Sequence, residues 1–224
     1  MTDNELLMAV ASLFKKMTRY RYEIVTGRKG IAEAIEIALT PDGFKHLTGL
    51  HKAKSFSEVY TAPSGALLRD VLHGKFDISV LSEEDAYPNI IERLTHLLKL
   101  KQYLDEFSAL YRWSKDKAHQ AGIYTIIDAD FMIPCESLEN ENKKIFLFLI
   151  RDKDGTFKIT DLITDKINNI NLKSQELITT QTIIIDSLDY TRGQLRPPTM
   201  LYKARHDIIS GSKEVLFDRL TQKA

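Results

Sequence analysis

The apolar residues change period part-way along the chain, and that change limits the fold more than any other feature. Up to about residue 107 the long apolar segments repeat at helical spacing; from Leu110 onward most are short, strand-length runs. A helix buries a stripe recurring every three or four residues, whereas a strand buries every second residue or a short continuous run. Residues 4–17 place Leu6, Leu7, Val10, Leu13, Phe14 and Met17 on one helical face, with Asp3 or Asn4 as the expected cap. Residues 64–73, stopped by Gly74, give a second helix. A third starts near Pro88 and runs to about Phe107, with Ile90, Ile91, Leu94, Leu97, Leu98, Leu104 and Phe107 in its stripe. Beyond it, residues 110–113, 123–127, 144–150 and 157–163 read as strands, the last two joined by the turn Asp152-Lys153-Asp154-Gly155. Residues 182–188 and 199–204 add two more. One hairpin interrupts the helical half: residues 20–25 and 31–39 flank Gly27-Arg28-Lys29-Gly30, with Ile35, Ile37 and Leu39 on one face.

Helices first and strands later predict an α+β fold, with a helical N-terminal part packed on a mainly antiparallel β-sheet. A chain of 224 residues, 43% hydrophobic and 28% charged, can bury a sizeable core without disulfides or metal. Neither loop candidate, residues 168–174 or 192–198, has the length of a domain linker, and no internal repeat is present. The expectation is one domain over 1–224, its main part at about 20–165, with C-terminal strands and a terminal helix over 175–224.

Charge and cysteine usage remove several classes. Lys+Arg and Asp+Glu both number 31, which argues against a dedicated DNA coater or a polybasic membrane binder while allowing a local basic groove. Cys135 is the sole cysteine, so an intramolecular disulfide and a Cys-rich zinc site are excluded. A single free thiol fits a reducing compartment. The segment Met132-Ile133-Pro134-Cys135-Glu136-Ser137 supplies no activating base, and Cys135 reads as inert. No run approaches the ~20 apolar residues that cross a bilayer, and the start Met1-Thr2-Asp3-Asn4-Glu5 lacks the basic and apolar parts of a signal peptide. A cytoplasmic protein without a membrane partner is expected.

The common cofactor and catalytic signatures are missing: no phosphate loop, no dinucleotide fingerprint, no Gly-x-Ser-x-Gly, no His-Glu-x-x-His. No cofactor and no metal are therefore expected. Asp128 and Asp130 flank Ala129 and on a strand point the same way, as a metal-binding pair does, yet no third carboxylate lies nearby; a strand-end turn is the competing reading. Tyr111, Arg112 and Trp113 interleave aromatic and basic character, which suits either base stacking or, for Trp113, the core.

The stretch from Phe44 to Lys54 is the most site-like. Thr40 can cap, Pro41 fits a first helical position and Asp42 favours the helix dipole, so a short helix over 41–48 is predicted. Gly49 then takes the left-handed position, with Leu50 packing back on Phe44. His46 and His51 are five residues apart, about 140° around a continuous helix and on different faces. If Gly49 stops the helix, the chain folds back and His51 can approach His46. His46 lies in the last turn, where the dipole favours an imidazolium. Metal-independent RNA cleavage needs a base for the ribose 2′-hydroxyl, an acid for the leaving oxygen and a cation for the phosphorane. His46, His51 and Lys52 are of those types, Thr48 and the Gly49 amide are candidate phosphate donors, and Lys54 adds a second cation. The structural alternative is that His46 pairs with Asp42 at i, i+4, Thr48-Gly49-Leu50 only stops a helix, and His51-Lys52 is a solvated loop.

Phe44-Lys45-His46-Leu47-Thr48-Gly49-Leu50-His51-Lys52, preceded by the Gly27-Arg28-Lys29-Gly30 hairpin, resembles the signature of the phage Barnase–EndoU–Colicin–RelE-like nucleases of the fourth type. Ile126-Ile127-Asp128-Ala129-Asp130-Phe131 and Lys144-Ile145-Phe146-Leu147-Phe148-Leu149 resemble later parts of that family, in the right order, and the likeness spans roughly residues 20 to 165. The resemblance implies a helical part packed on an antiparallel sheet, in a superfamily of small metal-independent ribonucleases and toxins encoded by phages and mobile elements. The implied site positions are His46, Thr48, His51, Lys52 and Asp130. On this reading the protein is a phage or prophage RNA-cleaving hydrolase, with RNA, and an antitoxin-like or host protein, as partners; Arg112 joins the substrate side. The alternatives are a non-catalytic module on the same fold that recognises a host protein or a nucleotide, and a purely structural phage protein.

Overall fold

A computed structural model of the chain describes residues 1–28, 31–107, 109–122, 125–136, 143–166, 176–186 and 199–203. Helix α1 (Asp3–Met17) buries Leu6, Leu7, Val10, Phe14 and Met17, the face that its period predicts. Its cap is Thr2 rather than Asp3 or Asn4. The Thr2 hydroxyl accepts from the Glu5 amide at 3.2 Å, and the Thr2 amide donates to the Glu5 carboxylate at 2.7 Å. Asn4 is used otherwise: its side chain bonds Asp77 and the Ile78 amide and so ties α1 to the turn Ile78–Leu81.

Strands β1 (Tyr20–Arg28) and β2 (Ile31–Ala38) form the expected antiparallel hairpin, pairing Ile24 with Ile35. After the hairpin come α2 (Gly43–Thr48), α3 (Phe56–Val59), α4 (Ser64–Leu72) and α5 (Tyr87–Leu97). The helix expected over 88–107 is broken into α5 and α6 (Leu100–Glu106). At the break the Lys99 amide bonds the His96 carbonyl at 2.9 Å, a tight 3-10 turn. Such a turn keeps the i, i+3 spacing of Leu97 and Leu100, so the apolar stripe runs through it without a mark.

The remaining elements are β3 (Leu110–Arg112), α7 (Lys115–Gln120), β4 (Phe131–Glu136), β5 (Lys143–Arg151), β6 (Phe157–Lys166), β7 (Glu176–Asp186) and β8 (Thr199–Lys203). The strands among them join one curled sheet with β1 and β2, in the order β1-β2-β6-β5-β4-β3-β7-β8, and β1 also pairs with β7. The sheet is mixed: β2 meets β6 in parallel at Ile37 and Phe157, while the other described pairings are antiparallel.

The strand expected at 123–127 is not formed by its described part. Residues 125–129 lie outside the sheet and Ile126 is 93% exposed, because the chain enters the sheet only at Phe131. Pro134 hides β4 from a pattern reading. The strand tolerates it because β3 pairs only with Phe131 and Met132, so among the described residues Pro134 faces β5 alone. Helix α7, capped by Ser114, also lacks a sequence stripe; it buries Ala118 alone. The loops expected at 168–174 and 192–198, and the expected terminal helix, fall outside the described residues.

The sheet is buried on both faces along β5. Ile145, Leu147 and Leu149 enter the main core with α1, α2, α4 and α5, whereas Phe146 and Phe148 pack with Trp113, Ala118 and Met132 on the other side. This two-sided burial explains the continuous apolar run of β5. Each such phenylalanine contributes about 1.5–3 kcal/mol of transfer energy. The same packing fixes α2, which lies on α4, α5 and β6. Phe44 and Leu47 are its buried anchors, with Leu50 buried just beyond its end, and the Phe14 and Phe44 rings meet edge to face at 5.3 Å.

Candidate active site at the end of α2

The chain approaches α2 through a turn in which the Gly43 amide bonds the Thr40 carbonyl at 3.0 Å and the Phe44 amide bonds that of Pro41 at 3.3 Å. The helix therefore starts at Gly43, two residues later than expected, and Thr40 does not cap it. Asp42 occupies the cap position without a side-chain cap bond. Gly49 ends the helix at φ 76°, ψ 7°, the left-handed region that glycine enters without a Cβ clash. Its carbonyl accepts from Lys52, closing a 3-10 turn over Leu50–Lys52.

This turn reverses the chain and brings the His51 ring to 4.8 Å from that of His46, centroid to centroid, tilted by 55°. Both histidines and Lys52 are exposed. The alternative pairing of His46 with Asp42 does not form; the Asp42 carboxylate lies against Gly65 of α4. The His51 Nδ1 atom is 3.3 Å from the Lys45 carbonyl. A carbonyl only accepts, so Nδ1 carries the hydrogen, and in the neutral ring the Nε2 lone pair is left free. His51 and Lys52 are open to solvent by area, yet protein covers one side of each. This partial desolvation is the largest influence holding the His51 pKa below its ordinary value. The Lys45 carbonyl opposes it, and His46, Lys52 and Arg93 add to it. Desolvation and then Arg93 lower Lys52 in the same way, against the pull of Asp161.

Arg93 and Asp161 are the members that sequence reasoning missed. Arg93 reaches the corner from α5 and Asp161 from β6, with Nη1 and Oδ1 2.7 Å apart. The contact is an ion pair rather than an aligned hydrogen bond, since Nη1 is buried without a well-directed acceptor. The stem of Arg93 lies under the turn: a Cβ on Gly49 would fall 2.9 Å from Arg93 Cδ. One signal was available. Arg93 follows Ile90 by three residues and so places a charge in the buried stripe of α5, and it is only 9% exposed. Asp161 offered none.

The other expected positions divide differently. Thr48 is fully buried, and its hydroxyl donates to the Phe44 and Lys45 carbonyls at 2.9 and 3.1 Å, so it closes the helix and does not face a phosphate. The Gly49 amide is likewise engaged, donating to the His46 carbonyl at 3.1 Å; Gly49 shapes the turn and is no phosphate donor. Lys54 is exposed beyond the turn, where its amide and that of Ser55 are held by the Glu84 carboxylate. Arg112 and Asp130 are not brought to this corner, for β3 is separated from β6 by β4 and β5. The guanidinium of Arg112 covers the Phe131 ring at 5.1 Å, and the Asp130 carboxylate accepts from the Arg151 amide at 2.8 Å. Cys135 is buried, and burial pushes its thiol far above the ordinary range. Among the described residues no three His, Cys, Asp or Glu side chains are arranged to hold a metal ion, and no helix is long and apolar enough to cross a membrane.

Fold and corner together define an α+β domain that presents two imidazoles and an amine at one exposed place. Residues 6–209 match the model of the phage-Barnase-EndoU-ColicinE5/D-RelE like nuclease4 family, and the chain belongs to that family. Comparisons with curated proteins and with solved structures found no match.

Proposed function

We propose that this nuclease-family domain cleaves RNA without a metal, by general acid–base chemistry at the His46–His51 corner. The observation that carries the reading is the 4.8 Å approach of two exposed imidazoles, with Lys52 beside them in the same turn. One histidine takes the proton of the ribose 2′-hydroxyl, and the 2′-oxygen attacks the adjacent phosphorus. The bond to the 5′-oxygen breaks, the other histidine protonates that oxygen, and a 2′,3′-cyclic phosphate remains. Lys52 steadies the charge on the phosphorane. Acid–base assistance of this kind is worth about 10² to 10⁴ in rate.

The test is incubation in EDTA with an RNA and with the all-deoxy strand of the same sequence. Cleavage of the RNA alone, leaving 2′,3′-cyclic ends, is the expected result. Cleavage of both strands, or cleavage that begins only when divalent ions are restored, would replace this mechanism with one that does not use the 2′-hydroxyl or does need a metal. Binding of RNA with no cleavage under any condition would favour a recognition module on the same fold.

A further inference from the structure

We propose that Arg93, paired with Asp161 beneath the Gly49 turn, is the positioning residue of this corner, making His51 the proton acceptor and His46 the donor. The inference rests on the acid–base reading above and gives its two histidines separate roles. Three contacts support it. Arg93 Cδ lies where any side chain on Gly49 would collide, so the stem of Arg93 is the floor on which the turn rests. The guanidinium is held from the opposite side by Asp161 at 2.7 Å, so its charge cannot swing away with solvent. The His51 ring is fixed by its Nδ1 contact to the Lys45 carbonyl, which leaves Nε2 as the atom able to take a proton.

The charges around His51 act in one direction. His46 faces it from α2, Lys52 from its own turn and Arg93 from α5, and each disfavours a second proton on the ring. Asp161, from β6, stands behind Arg93 and Lys52. Partial desolvation comes first, and these charges add to it against the Lys45 carbonyl, so that His51 is kept as the neutral base. His46 is the remaining imidazole and, entering the step protonated, gives its own proton to the leaving oxygen while His51 retains the one it took.

The experiment is an NMR titration of the His46 and His51 rings in the wild type and in Arg93→Gln, Arg93→Lys and Asp161→Asn, with cleavage measured across the same pH range. The wild-type His51 midpoint is expected below 6.5, the ordinary histidine value. Arg93→Gln should raise it, Arg93→Lys should restore it, and Asp161→Asn should lower it by unmasking Arg93. The acid limb of the cleavage profile should follow the His51 midpoint. A local loss of structure would instead expose His51 and move all three variants upward together. That pattern, or an unchanged midpoint in a folded Arg93→Gln, overturns the inference. Midpoints that move as stated in a protein that cleaves no RNA would support the placement of Arg93 and overturn the acid–base reading.

Discussion

At the end of α2, Gly49 turns the chain so that His46 and His51 stand exposed with their rings 4.8 Å apart. At the corner between β3 and β4, Asp130, Arg112 and Trp113 supply as many chemistry-bearing groups but use them on the chain itself. The Asp130 carboxylate holds the Arg151 amide, Arg112 lies over Phe131, and the Trp113 indole donates to the Ile127 carbonyl at 3.3 Å while its ring packs on Phe148. Residue type alone does not separate these corners. What separates them is how much of each side chain the fold consumes: the α2 turn closes through the Thr48 hydroxyl, the Gly49 amide and the Leu50 carbonyl and takes one ring nitrogen of His51, leaving the His46 ring and His51 Nε2 exposed. The β3–β4 corner needs its side chains to enter the sheet.

Substitutions can break that comparison, and the largest effect belongs to His46→Ala. It should lower RNA cleavage by about 10² to 10⁴ while leaving the urea midpoint nearly unchanged, since His46 is exposed. Gly49→Ala comes next. A side chain at φ 76° that also meets Arg93 should cost about 2–3 kcal/mol, read as a lower denaturant midpoint, and should weaken cleavage by displacing His51. Asp130→Ala should remove about 1 kcal/mol of stability with the loss of the Arg151 amide's acceptor, yet leave cleavage per folded molecule as it was. Arg112→Ala is the mildest, about 0.5 kcal/mol for an exposed cation over an aromatic ring, visible only in a careful denaturation series. A large loss of cleavage in either of the last two would merge the corners that the structure separates.

The α2 turn was legible in the sequence, whereas Arg112 and Asp130 read there as substrate-side residues, and the features that were not legible share a cause. Gly49 as a helix stop and the return of His51 toward His46 follow from local chain chemistry, because left-handed backbone and the angle between residues five apart are properties of a short segment. The hairpin of β1 and β2 and the turn before β6 were readable for the same reason. Arg93 and Asp161 were not, since their relation to the turn exists only once α5 and β6 pack against α2. The engagement of Thr48 and of the Gly49 amide was also hidden, for a list of donors does not reveal which the helix end consumes. The break between α5 and α6, and the parallel contact of Ile37 with Phe157, are likewise choices of tertiary packing that leave the apolar pattern unaltered.

The most direct measurement compares initial rates on one RNA in EDTA for the wild type, His46→Ala and Asp130→Ala, each corrected for its folded fraction. The account predicts that His46→Ala falls by orders of magnitude while Asp130→Ala keeps the wild-type rate. Equal rates for the wild type and His46→Ala, or a collapse confined to Asp130→Ala, would contradict it and move the active site away from α2.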